Sequence, residues 1–154
     1  MATPVGAQEG GIAASNTLAD AGQAVDLTVI PRAVFTDPPV GVVGLTEAQA
    51  QARGLDSESS TVSMDVVPRA SIIRDRRGLI KMVLERESRR VLGVSMLGVG
   101  TEEVINEAAM ALRFHATVDD FINMIYVYPS MAEALKIVAI SFSKDVSNLS
   151  FCAS

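Results

Sequence analysis

The order of hydrophobic patterns along the chain predicts an α+β fold, an antiparallel sheet with helices packed on one side. Three features carry this prediction. Apolar and polar residues alternate over "GLIKMVLER" (78–86), and an apolar run returns over "VLGVSMLGVG" (91–100) after the turn "SRR", the pattern of a β-hairpin. Shorter strand patterns precede this hairpin. From Thr101 onward, apolar residues recur at spacings of three and four, so helices follow the strands.

The elements read as follows. "GAQEGGIAASNTLA" within residues 1–20 is a small-residue helix weakened by Gly10 and Gly11, which needs a surface to lie on. Residues 20–27 are a linker. Ala33–Thr36 is a short strand that must stop at Asp37-Pro38-Pro39, and Val40–Leu45 is a second. Thr46 caps a helix over Glu47–Arg53 that Gly54 closes. Residues 58–66 form a strand, and "VPRASIIRDRRG" (67–78) a bend and loop. In the hairpin strand that follows, Ile80, Met82 and Leu84 face one way, and Leu79, Lys81, Val83 and Glu85 the other. The helix over 101–114 carries its stripe on Val104, Ile105, Ala108, Ala111 and Leu112. The helix over 117–125 starts at Thr117, with Asp119 and Asp120 complementing its dipole. The helix over 130–142 starts at Ser130, with Glu133 completing an S-x-x-E capping box.

Composition bounds the function. The 154 residues suit one domain, and 49% hydrophobic with 20% charged residues is a globular balance. A net charge of -5 argues against a nucleic-acid or anionic-membrane partner. No apolar run approaches the roughly 20 residues of a membrane span, and the start lacks a signal-peptide pattern, so a cytoplasmic location is expected. One cysteine, Cys152, and one histidine, His115, are too few for a zinc centre.

The candidate sites each have a structural reading. "GVGTEE" (98–103) joins a strand to a helix as a dinucleotide fingerprint does, but the third glycine is missing and Glu102 and Glu103 would oppose a pyrophosphate. Arg69, Arg74, Arg76 and Arg77 read as a solvated loop with a salt bridge. His115 follows a helix end, where a cation is favourable. Glu133 closes a cap, Tyr128 is an interface or core aromatic, and Cys152 is a thiol in a frayed tail.

Several stretches together resemble the C-terminal interface domain of pyridine nucleotide-disulfide oxidoreductases. These are "VFTDPPVGVVGLTEAQA" (34–50), "MDVVPRA" (64–70), "GLIKMV" (78–83), "YPSMAEALKI" (128–137), "SFSKDVSNLS" (141–150) and the terminal "FCAS". Within that family the details look like mercuric reductases. "VGAQEGGIAASN" (5–16) is similar to the helix ending the flavin-binding part, which divides the chain into residues 1–28, a helix and linker from that part, and residues 29–154, the dimerisation domain with its tail.

The resemblance implies several roles. In disulfide-reducing members the position of Tyr128 is a histidine, paired with a glutamate at the position of Glu133, and it serves as acid-base for a thiol. In mercuric reductases the position is a tyrosine beside the metal's path, so Tyr128 and Cys152 are the expected Hg(II) residues and Glu133 keeps a capping role. Mercuric reductases end in two adjacent cysteines, soft ligands for a soft metal; here the pair is Phe151-Cys152, and one thiolate cannot complete a two-sulfur chelate by itself. The full-length enzyme would use FAD and NADPH. This chain shows neither G-x-G-x-x-G nor a C-x4-C redox pair, so it is expected to be a last domain that binds no cofactor and is inactive alone. The implied partner is a second copy, through the helices over 101–114 and 130–142. The alternatives are a stand-alone interaction module, which Phe151 favours, and the same domain from a disulfide reductase, which Tyr128 disfavours.

Overall fold

The structure is a computed structural model and describes residues 3–19 and 21–146. Five antiparallel strands form one sheet: β1 (Arg32–Val34), β2 (Val40–Gly44), β3 (Ser57–Ser63), β4 (Leu79–Glu85) and β5 (Val91–Leu97). Their order across the sheet is β1-β2-β5-β4-β3, so the last strand in sequence lies at the centre. The hairpin β4–β5 pairs Ile80 with Met96 and Met82 with Val94, and a bulge between Val83 and Leu84 sets Leu84 opposite Val91. These six side chains are buried and form the floor of the core. The alternation along β4 places Ile80, Met82 and Leu84 inside, as the sequence pattern requires.

Among the described residues six α-helices accompany the sheet: α1 (Thr3–Ala19), α2 (Glu47–Ala52), α3 (Pro68–Ile72), α4 (Thr101–Arg113), α5 (Val118–Asn123) and α6 (Glu133–Ile140). The expected layer on one side is α4 to α6. Helix α4 packs on β2 and β5, α6 packs on β3 and β4, and α5 packs on α6. The stripe of α4 is buried at Ile105, Ala108 and Leu112, and the other expected positions, Val104 and Ala111, border the same core. Helix α2 is on the other face. Lys81 points away from Met82 and donates to Glu47 Oε2 at 2.9 Å, and Ser59 donates to the same oxygen at 2.7 Å. These bonds hold the Glu47 carboxyl below its ordinary value, the Lys81 bond most strongly.

Three expectations need correction. The segment 67–78 is not all loop: Pro68 takes the first position of α3, where its missing N–H costs nothing, and Ala70 is buried. A 3-10 turn at Met64–Val66 leads into it, so the strand expected over 58–66 ends at Ser63. Helix α6 begins at Glu133 and not at Ser130, since Ala134 and Leu135 donate to the carbonyls of Met131 and Ala132 in a tighter turn.

Helix α1 exists but buries no residue of its own. Asn16 ties it to the linker, accepting from the Gln23 N–H and donating to the Gln23 carbonyl, both at 2.8 Å. Where β2 crosses β5, a Cβ on Gly93 would stand 2.0 Å from the Leu45 carbonyl oxygen, so only glycine admits this approach.

Candidate functional site

The sequence places Tyr128 and Glu133 in the connection between α5 and α6, and the structure explains its form. Two anchors frame it. Helix α5 ends at Met124, whose carbonyl accepts from Lys136 Nζ at 3.2 Å. At the far end, Glu133 Oε2 accepts from the Ser130 N–H at 2.9 Å. Between them Tyr126 packs against the core, while Ile125, Val127 and Tyr128 are 94%, 79% and 54% exposed.

Glu133 therefore has half of the expected capping box. Its carboxylate accepts from the Ser130 backbone, but the Ser130 hydroxyl is buried with no hydrogen-bond partner among the described residues. The reciprocal bond fails because the tighter turn at Met131–Ala132 moves Ser130 off the helix end.

The inward tyrosine reveals two residues that sequence reasoning passed over as site residues, Tyr126 and Glu107. Burial pushes the Tyr126 phenol far above its ordinary value, and the Glu107 charge pushes it further. Burial also raises the Glu107 carboxyl, which interaction with Tyr126 partly offsets. The two groups feel one another, yet neither the Tyr126 hydroxyl nor Glu107 Oε1 has a well-formed hydrogen bond. A signal was present: Glu107 directly precedes Ala108 of the α4 stripe, and Tyr126 alternates with Tyr128.

Apolar surface surrounds this connection. Met110, Ala111, Phe114, Phe121 and Met124 line a groove of about 240 Å³ between α4 and α5, and Phe114 is 74% exposed. Helix α6 does not add to it. Its Ala134, Leu135, Val138, Ala139 and Ile140 are buried in the chain's own core, whereas the end of α4 and Met124–Tyr128 expose apolar side chains.

The remaining candidates resolve differently. Arg77 forms ion pairs with Asp75 and Asp37 at 2.7 Å each, and its bonds hold the Asp75 carboxyl down to about 2. His115 sits past the end of α4 in a left-handed conformation (φ 59°), and its Nδ1 faces Arg90 Nη2 at 2.8 Å. A guanidinium only donates, so Nδ1 accepts and the cation at this helix end is Arg90, with Arg113 in the last turn. Cys152 lies outside the described residues, as does the rest of the terminal "FCAS". Among the described residues no group of three or more His, Cys, Asp and Glu could hold a metal ion, and no helix is long and apolar enough to cross a membrane.

The strand–helix junction that resembles a dinucleotide fingerprint does not suit a pyrophosphate. The glycine-bearing junction of strand and helix runs through Gly98 and Gly100, with Gly100 in a left-handed conformation (φ 79°) as N-cap of α4. Behind it, Glu102 and Glu103 occupy the first helical turn, and Glu102 Oε2 is buried without a partner among the described residues. A pyrophosphate would meet carboxylates there.

Comparison with known proteins agrees with this architecture. The chain is 41% identical to the mercuric reductase of Lysinibacillus sphaericus over 149 residues, covering 97% of this chain and 27% of that protein. It is 43% identical to the mercuric reductase of Shigella flexneri over 130 residues, covering 84% of this chain and 23% of that protein. The chain thus spans about a quarter of the length of these relatives. Among solved structures, the Cu(II) complex of the HOCl-induced flavoprotein disulfide reductase RclA from Escherichia coli superposes with a TM-score of 0.84 at 30% identity, over 94% of this chain and 33% of that one. Residues 30–139 match the family described as pyridine nucleotide-disulphide oxidoreductase, dimerisation domain, and the chain belongs to that family.

Proposed function

We propose that this chain is the dimerisation domain of a mercuric-reductase-like flavoprotein oxidoreductase that uses FAD and NADPH to reduce Hg(II) in the cytoplasm. Residues 29–154 are that domain, and residues 1–28 are the end of the preceding flavin domain. The observation that carries the reading is the 41% identity to a mercuric reductase over 97% of the chain. The domain pairs with a second copy of itself, and the exposed connection carrying Tyr128 completes the partner's active site. Exposure of Ile125, Val127 and Tyr128 supports this, because such apolar surface favours a partner.

In this reading Hg(II) arrives bound to thiols. Cys152 takes it with a second sulfur from elsewhere in the dimer, since a soft cation prefers two thiolates. Tyr128 contacts the metal along its path. Glu133 holds the backbone of Ser130 in place and carries no proton for the reaction.

A second reading, a disulfide reductase, is favoured by the solved relatives named flavoprotein disulfide reductases, at 30–32% identity. The deciding experiment measures NADPH consumption by the full-length protein with Hg(II)–thiol complexes and, separately, with disulfides. Turnover of Hg(II) alone supports the first reading, and turnover of disulfides alone replaces it with the second.

A further inference from the structure

A second cleft lies away from the connection that bears Tyr128. It has a volume of about 570 Å³ and sits between residues 27–30, the C-terminal end of α2 and the start of β5. Arg32, Arg53, Arg90 and His115 line it, and no aspartate or glutamate does. The chain has 18 acidic against 13 basic residues, so Arg53 and Arg90 in a lining without a carboxylate depart from the charge balance of the molecule, while Arg32 also borders the neighbouring cleft that holds Asp26 and Glu102.

The local geometry sharpens this. Arg90 Nε is buried with no hydrogen-bond partner among the described residues, although the same guanidinium reaches His115 Nδ1 through Nη2 at 2.8 Å. A buried charged donor left unused is costly, and an incoming oxygen acceptor relieves that cost. Because Nδ1 accepts, the proton of the His115 ring is on Nε2, which adds a further donor. Arg32 and Arg53 have no ion-pair partner among the described residues. Two arginines outside the cleft are compensated: Arg113 pairs with Asp26 and Arg89 with Asp119, each at 3.5 Å. Gln49 is no competitor for the cations, since its Oε1 is engaged by the Thr46 N–H at 2.9 Å.

We propose that this cleft binds a phosphate monoester. Several cations facing one space without a carboxylate suit a dianion better than a single negative charge. The volume lies within the roughly 300–1,000 Å³ typical of small-ligand pockets, larger than a bare ion needs. Leu27, Ile30 and Leu92 supply an apolar wall for an organic body, and the phosphoryl oxygens take Arg53, Arg90 and His115. This site is independent of the proposed reductase role, as neither Tyr128 nor Glu133 lines the cleft.

Isothermal titration of the 154-residue protein with phenyl phosphate, and in parallel with inorganic phosphate, tests the assignment, with sodium chloride holding ionic strength constant. Saturable one-to-one binding of phenyl phosphate, tighter than inorganic phosphate, is expected. Arg53→Gln weakens it about threefold, as for an exposed ion pair. Arg90→Gln weakens it about tenfold or more, as for a buried charge-assisted bond. Arg69→Gln, outside the cleft, leaves it unchanged. If Arg90→Gln loses its circular dichroism, Arg32→Gln and Arg53→Gln decide. Absence of saturable heat, or equal affinity in every variant, overturns the site. Equal affinity for inorganic phosphate overturns the assignment to an ester.

Discussion

Two tyrosines two positions apart have opposite environments, and their chemistry diverges accordingly. Tyr128 is half exposed and free to meet a partner, whereas the Tyr126 hydroxyl is buried beside Glu107. Under the proposed function, Tyr128→Phe in the full-length enzyme lowers the Hg(II) reduction rate about tenfold, the scale of one lost polar contact in a transition state. The dimer mass stays the same, and steady-state kinetics with sedimentation check both halves. Glu107 makes a prediction of the opposite kind. Burial raises its carboxyl, so the folded state holds that proton more tightly than the unfolded chain does. Its stabilising contribution is present below the ordinary carboxyl value and is lost as pH rises through the raised one. Glu107→Gln should therefore raise the melting temperature at pH 7 to 8 and leave it nearly unchanged at pH 4. Melting curves at the two values test this, and an unchanged midpoint at pH 8 would refute it.

At the scale of the element, the three helix starts identified from sequence form a graded series. Thr46 closes a full box with Gln49, and Thr117 closes one with Asp120. At α6, Ser130 contributes only its backbone. Thr46→Ala and Thr117→Ala should each cost about 1 kcal/mol in denaturant titrations. Ser130→Ala removes a buried hydroxyl with no partner, so it should be neutral or stabilising. A loss of 1 kcal/mol there would restore the cap that the sequence motif suggested. Asp120 adds a pH signature: backbone and side-chain bonds from Thr117 hold its carboxyl below the ordinary value. The stability it contributes is present above that ordinary value and fades as pH falls through the lowered one.

At the scale of the whole molecule, a contiguous exposed apolar surface lies beside the connection that carries Tyr128. It runs from Met110 and Phe114 at the end of α4 to Ile125 and Val127. If the domain pairs with a second copy, the double substitution Ile125→Asp with Val127→Asp should yield a monomer by sedimentation and keep the parental circular dichroism. Both side chains are more than three-quarters exposed, so the fold does not depend on them. An undiminished dimer would move the interface elsewhere. Leu135, by contrast, is fully buried among α6 and the sheet, and truncating it addresses the core and not the interface.

The strands β4 and β5 and the helices α4 and α5 were legible in the sequence, because each buries one face and that burial imposes its period on neighbouring residues. The capping threonines were legible for the same local reason: a cap is a bond across three residues. Helix α3 was hidden because five residues are too few to show a period, and its Pro68 reads equally as a break. The identity of the domain came from Tyr128, Glu133 and the surrounding motifs, which are words in the chain and need no coordinates. The central place of β5, the position of α2 on the far face, the Tyr126–Glu107 contact and the arginine-lined cleft were decided by tertiary structure alone. Each joins residues far apart in sequence, such as Arg53 with Arg90 and His115. No local period or spacing encodes such a meeting, because it depends on which strand edges pair and which faces then compete for the same core.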